Sequence, residues 1–290
     1  MSDIAHIRAG AEALAAPMPP LLAEAEHLAS TMQLGEHGRR RPGMGSEFWQ
    51  FRAAQPHDEV RDIDWRRSAR SDAHFIRQKE WQAAQTVLVW VDGASSMSFA
   101  SRGVPSKCDR ANVLALATSI LLLRGGERVG LSGPLAPPRR GEAQIGRMLQ
   151  ALSVPHTADE YGAPEVSGCP SHARALFVSD FLGDIGPIEA AMAEAVDRGM
   201  RGTLLQVLDP EEIAFPFRGR TIFESMAGAL RYETKQAGAL RDRYLSRLAE
   251  RRARLSDLAK LSGWHYHCHD TKDGAQAALL WVYAALEPVR

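Results

Sequence analysis

From Thr86 onward, short continuous apolar runs alternate with longer segments of helical spacing. Val87–Asp92, Ala173–Asp180 and Gly202–Asp209 are apolar runs of strand length, and each stops on an aspartate. Such runs, without polar alternation, read as parallel strands covered on both faces. Arg128–Leu131 and Trp264–Cys268 read as two shorter strands. Helical patterns fall between them at Lys107–Arg124, Ala143–Leu152, Pro187–Asp197, Lys235–Leu261 and Ala275–Leu286. Gly125-Gly126 and Gly263 act as stops, and Pro187 suits a first turn. Arg220–Glu233 reads as a hairpin or short strand pair. The alternation predicts an α/β fold: a doubly wound, mainly parallel sheet with helices on both faces. A small β insertion follows Asp209.

The first third of the chain reads differently. Met1 to Gln33 is rich in Ala and Leu, with Leu21, Leu22, Ala25 and Leu28 at helical spacing. Gly35–Gly45 is a Gly/Arg loop, and Ser46–Trp81 is dense in Arg, Asp and Trp. The expected division is an N-terminal extension over 1–85 and an α/β domain over 86–290. Phe48, Trp49, Trp65 and Trp81 are too apolar for a free tail, so the extension should pack on the domain. Asp64 and Trp65, beside Arg66, Arg67 and Arg70, read as a buried ion-pair cluster.

Composition narrows the function. Lys plus Arg equals Asp plus Glu at 35 each, so no global basic field points to nucleic acid. Cys108, Cys169 and Cys268 are far apart and odd in number, which suits a reducing compartment and predicts a cytoplasmic protein. No basic-then-apolar leader opens the chain, and charges interrupt every apolar run well short of the ~18 residues of a membrane span. Nucleophile elbow, P-loop and HExxH patterns are all lacking.

What chemistry remains lies at strand ends. Ligands of open α/β sheets bind outside the carboxyl ends of the strands, where Asp92, Ser95 and Ser96 fall. A carboxylate with hydroxyls is a hard oxygen set suited to Mg²⁺. Asp180 ends a later strand in the same manner. Either aspartate could instead be a helix cap or turn residue. His265, His267 and His269 alternate, so a strand would put them on one face, as a Zn²⁺ site requires. The strand is expected to end before His269, which favours three partly solvated histidines.

The run Asp92-Gly-Ala-Ser-Ser96-Met97 resembles the Asp-x-Ser-x-Ser opening of the metal-ion-dependent adhesion site in the von Willebrand factor type A fold. The middle serine is replaced by Ala94, which has no side-chain oxygen. A wider resemblance covers Gly35 to the end of the chain. Gly43-x-Gly45-x-Glu47-Phe48-x-x-x-Arg52, then Asp58-x-x-Arg61-x-Ile63-Asp64-Trp65-x-x-Ser68-Ala69-Arg70, then Asp209-Pro-x-Glu212-x-x-Phe215-Pro-Phe217 match a bacterial family, domain of unknown function fifty-eight. Genes of that family often neighbour those of MoxR-type AAA ATPases. The resemblance implies a type A domain with a degenerate metal site at Asp92, Ser96 and Asp180. Thr157 is a weak candidate for the site's threonine. Mg²⁺ would be weakly held or absent. It also implies a non-enzymatic interaction module that binds partners through Asp92, Ser95, Ser96 and Asp180. Its partners would be a MoxR-type ATPase and other type A-domain proteins. The alternative is a metal-dependent hydrolase using Asp92 and Asp180.

Overall fold

The computed structural model describes residues 18–32, 42–43, 47–55, 59–60, 63–69, 73–80, 84–134, 136–154, 159–166, 169–228 and 230–286. Arg61, Asp62, Arg70, Trp81 and Thr157 lie outside them, as does the expected 35–45 loop except Pro42–Gly43. The side chains of Phe48 and Trp49 also lie outside.

The chain forms two compact units, one of residues 34–84 and one of residues 1–33 with 85–289. Helix α1, Met18–Ser30, belongs to the larger unit. In the smaller unit, strands β1 (Pro42–Gly43), β2 (Glu47–Ala53) and β3 (Phe75–Glu80) pair antiparallel in the order β1-β3-β2. A single turn, α2 (Trp65–Ser68), is capped by Asp64, whose Oδ1 accepts the Arg67 N–H at 2.9 Å. This corrects the burial expected of that cluster, as far as its residues are described. Asp64 serves as a cap, Trp65 is 56% exposed, and the Arg67 guanidinium lies over the rings of Phe51 and Phe75, at 4.9 and 5.6 Å.

The larger unit runs β4 (Thr86–Val91), α3 (Lys107–Arg124), β5 (Arg128–Leu131), α4 (Ala143–Leu152) and β6 (Arg174–Ser179). It continues with α5 (Gly186–Asp197), β7 (Arg201–Leu208), α6 (Pro210–Ala214), the β8–β9 hairpin (Thr221–Glu224, Arg231–Thr234), α7 (Arg241–Leu261), β10 (His265–Asp270) and α8 (Ala275–Leu286). Strands β10-β7-β6-β4-β5 form one five-stranded sheet, parallel throughout. This is the mixed α/β fold with a parallel sheet that the apolar runs predict.

The period-two alternation of each strand sorts its side chains between two cores. Val87, Val89, Leu176, Val178, Leu205 and Val207 face one, with α3 and α8. Leu88, Ala175, Phe177 and Leu204 face the other, with α5 and α7. The buried Ala25, Leu28 and Ala29 of α1 belong to the first core. The extension expected over 1–85 is therefore not one piece, because the apolar stripe of α1 is spent on the main core.

Candidate functional site

The three aspartate-terminated strands bring their carboxyl ends to one edge of the sheet. β4 and β6 are direct neighbours, and the Asp92 N–H donates to Val178 O at 2.8 Å, extending that pairing by one residue. Asp92 is 1% and Asp180 0% exposed. Asp92 Oδ1 accepts the Ala94 N–H at 2.9 Å. Its Oδ2 accepts the Ser179 hydroxyl at 2.7 Å and the Gly162 N–H at 3.4 Å. Burial raises the Asp92 pKa above the usual 3.8, against the pull of these donors. Ser95 is partly exposed, whereas Ser96 is buried with an Oγ that has no hydrogen-bond partner among the described residues.

Asp180 is organised around a cation. The Lys107 ammonium lies 2.8 Å from Asp180 Oδ2 and 2.6 Å from Glu212 Oε1, and it is 1% exposed. The Phe99 ring lies 5.9 Å from the same nitrogen. Burial alone would lower the Lys107 pKa, but the charges of Asp180 and Glu212 outweigh it and hold the pKa above 10.5. Asp180 Oδ1 accepts the Leu182 N–H at 3.0 Å. Glu212 is fixed in turn by a capping box at α6: its Oε2 accepts the Asp209 N–H at 3.0 Å, while Asp209 accepts from Glu211 N and Ser101 N. The ends of β6 and β7 and the start of α3 are thus joined through one ammonium.

Segment 159–162 lies against Asp92 and the turn that follows it. Ser95 N and Ser96 N donate to Asp159 O and Glu160 O, at 2.9 and 3.0 Å. A Cβ on Gly162 would overlap Asp92 Oδ1, so this position needs glycine for close approach. The Glu160 carboxylate accepts Met226 N and Ala227 N, at 3.0 and 2.8 Å, which ties the β8–β9 turn to the same segment.

Of the four residues expected to meet a partner, only Ser95 reaches solvent in part. Asp92, Ser96 and Asp180 lie beneath the surface, because the covering segment and Lys107 fill the crevice that the strand ends would otherwise leave open. The donor set does not suit a hard divalent ion. Both Asp92 oxygens and both Asp180 oxygens have donors, Ala94 offers no side-chain oxygen, and an ammonium already stands against Asp180.

The histidines do not converge either. β10 runs to Asp270, beyond the end expected for it, so all three lie within the strand. His265 is exposed, His267 stacks on Trp281 at 4.7 Å and His269 is buried. Among the described residues no group of three or more His, Cys, Asp or Glu side chains gathers as a metal site.

Lys107, Ser179 and Gly162 were not singled out by sequence reasoning, and Glu212 appears only as a position of the family motif. A signal for Lys107 did exist. It is the first residue of α3, directly after the N-cap Ser106, where the helix dipole disfavours a cation.

The fold and site define a parallel α/β domain whose strand-end carboxylates are held from within, Asp180 by the Lys107 ammonium and Asp92 by neutral donors. The chain belongs to the family described as protein of unknown function DUF58, whose profile matches residues 50–254. Uncharacterized proteins of Mycobacterium bovis and Mycobacterium tuberculosis are 28% identical over 233 residues, which is 76% of this chain and 73% of each relative. Among solved structures, an aerotolerance-related membrane protein from Bacteroides fragilis aligns at TM-score 0.40 and 15% identity. BatB from Bacteroides thetaiotaomicron aligns at 0.38 and 15%. Each alignment covers 70% of this chain and 98% of the other.

Proposed function

We propose that this protein is a non-enzymatic interaction module of the von Willebrand factor type A kind, acting in the cytoplasm beside a MoxR-type AAA ATPase in the assembly or maturation of a larger complex. The observation that carries the non-enzymatic reading is the state of the two strand-end aspartates. A hydrolase needs a carboxylate free to activate water or hold a metal. Asp92 and Asp180 are buried and engaged by Ser179, Ala94, Leu182 and Lys107. The type A kinship rests on the Asp92–Met97 run and on its place at the end of a central parallel strand. The ATPase rests on the motif resemblance.

The buried pair would act on a partner from below, by fixing the segments above it. Ser95 is one outlet. The β8–β9 hairpin is another: it is tied through Glu160 and exposes Ile222, Met226, Leu230 and Tyr232, with Leu230 73% exposed. Exposed apolar side chains gathered on one hairpin are the usual mark of a contact surface. Affinity capture of the full chain from its native host tests the reading. An AAA ATPase should co-purify with the unmodified chain and be lost from Leu230→Asp/Tyr232→Ala. Capture without any ATPase, or divalent-dependent ester or phosphate hydrolysis abolished by Asp180→Asn, would replace the module with another function.

A further inference from the structure

Asp180, a strand-end carboxylate that would attract a divalent ion, already shares with Glu212 a cation supplied by the chain. Lys107 Nζ makes ion pairs with Asp180 and Glu212, at 2.8 and 2.6 Å, in a position only 1% exposed. Nothing local puts it there. A lysine at the first residue of an 18-residue helix opposes the helix dipole, and burial strips its hydration. The two carboxylates are what make the position tolerable. The third side of the ammonium faces the Phe99 ring, at 5.9 Å. A ring face can receive an ammonium, but it gives no oxygen to a hydrated dication, which requires near-octahedral oxygen coordination.

We infer that Lys107 is the resident cation of the strand-end site. It performs the neutralising and cross-bracing that a divalent ion would otherwise supply, so the site assembles without metal. The inference stands whichever partner the protein serves. It has a sharp corollary. A dication placed beside Asp180 would meet the ammonium at close range and be repelled. Removing the ammonium leaves Asp180 and Glu212 without the cation they share. The variant should therefore gain a divalent site that the natural chain lacks.

The test uses the purified full chain, stripped with chelator and titrated with Mg²⁺, Mn²⁺ and Ca²⁺ up to about 10 mM, read by calorimetry and by the thermal midpoint. The wild-type midpoint should not move and no binding heat should appear. Lys107→Ala should melt lower in chelator, recover with a divalent ion and bind one ion per chain, at least about 100-fold more tightly than wild type. Adding Asp180→Asn to that variant should abolish the gain. Should Lys107→Ala not fold, the titration is run on Lys107→Met/Glu212→Gln, which keeps Asp180 and restores charge balance. A gain there supports the inference and its lack overturns it. Sub-millimolar binding of one ion per wild-type chain, or a folded Lys107→Ala with no divalent dependence, also overturns it.

Discussion

The Ser179 hydroxyl donates to Asp92 Oδ2 at 2.7 Å across the ends of β6 and β4, and both residues are buried. The same oxygen accepts the Phe181 N–H at 3.0 Å, where the chain takes the left-handed conformation at φ 49°. One hydroxyl thus satisfies a buried carboxylate and holds the turn that aims Asp180. Ser179→Ala should cost about 2–3 kcal/mol, the usual range for a buried hydrogen bond to a charged group. Urea denaturation checks this. A change below about 0.5 kcal/mol would mean that water replaces the hydroxyl at no cost.

The Lys107 ion pairs should behave as a coupled buried network. Lys107→Met strands two carboxylates and should destabilise by about 3–5 kcal/mol, whereas Asp180→Asn keeps the Lys107–Glu212 pair and should cost less. The double variant should cost clearly less than the sum, because once Lys107 is gone Asp180→Asn removes a stranded carboxylate instead of breaking an ion pair. A double-mutant cycle by chemical denaturation decides it. Strict additivity would mean that the two side chains do not share their energy.

How much of this was legible in the sequence depends on range. Lys107–Arg124 is a helix over the residues expected, since its caps and apolar run are local signals. Lys235–Leu261 reads as one helix but begins with a 3-10 turn at Ala237–Leu240 and becomes α-helical only at Arg241. Asp92 and Asp180 were visible because an apolar run that stops on a carboxylate marks a strand end. The partners that hold them were not. Lys107 meets Glu212 across 105 residues, and periodicity carries no information about such a contact. Ser179 hides inside an apolar run and looks like an ordinary strand residue. The openness expected of the crevice failed for a similar reason. The covering contacts of 159–162 are backbone hydrogen bonds, which leave no trace in side-chain pattern.

The first helix should be indispensable to the main unit. Ala25, Leu28 and Ala29 are buried in the core built on α3, with Leu21 and Leu22 packed at its margin. Deleting residues 1–33 uncovers that face and should cost about 3–5 kcal/mol, the scale of losing two or three core aliphatic side chains. Thermal melting and size exclusion of the 34–290 chain give the readout. An unchanged midpoint and a monomeric profile would show that α1 only decorates the core.

His269 makes stability depend on pH in a window where few other groups titrate. It is 4% exposed, and its Nε2 has no hydrogen-bond partner among the described residues. Burial, reinforced by the charge of Arg110, lowers its pKa from 6.5 to about 4. A histidine with a depressed folded pKa binds protons more readily when unfolded. Its contribution is therefore complete above 6.5 and is lost as pH falls toward about 4. Between about pH 7 and about pH 5 the loss should reach about 2 kcal/mol, at 1.4 kcal/mol per pH unit in which only the unfolded state is protonated. His267, also lowered by burial, adds a smaller slope of the same sign. His269→Gln removes the titrating group, so its stability should change much less across this window, whatever the substitution costs at neutral pH. Denaturant midpoints at a series of pH values compare the two. Parallel curves for wild type and variant would mean that His269 is not the group that senses acid.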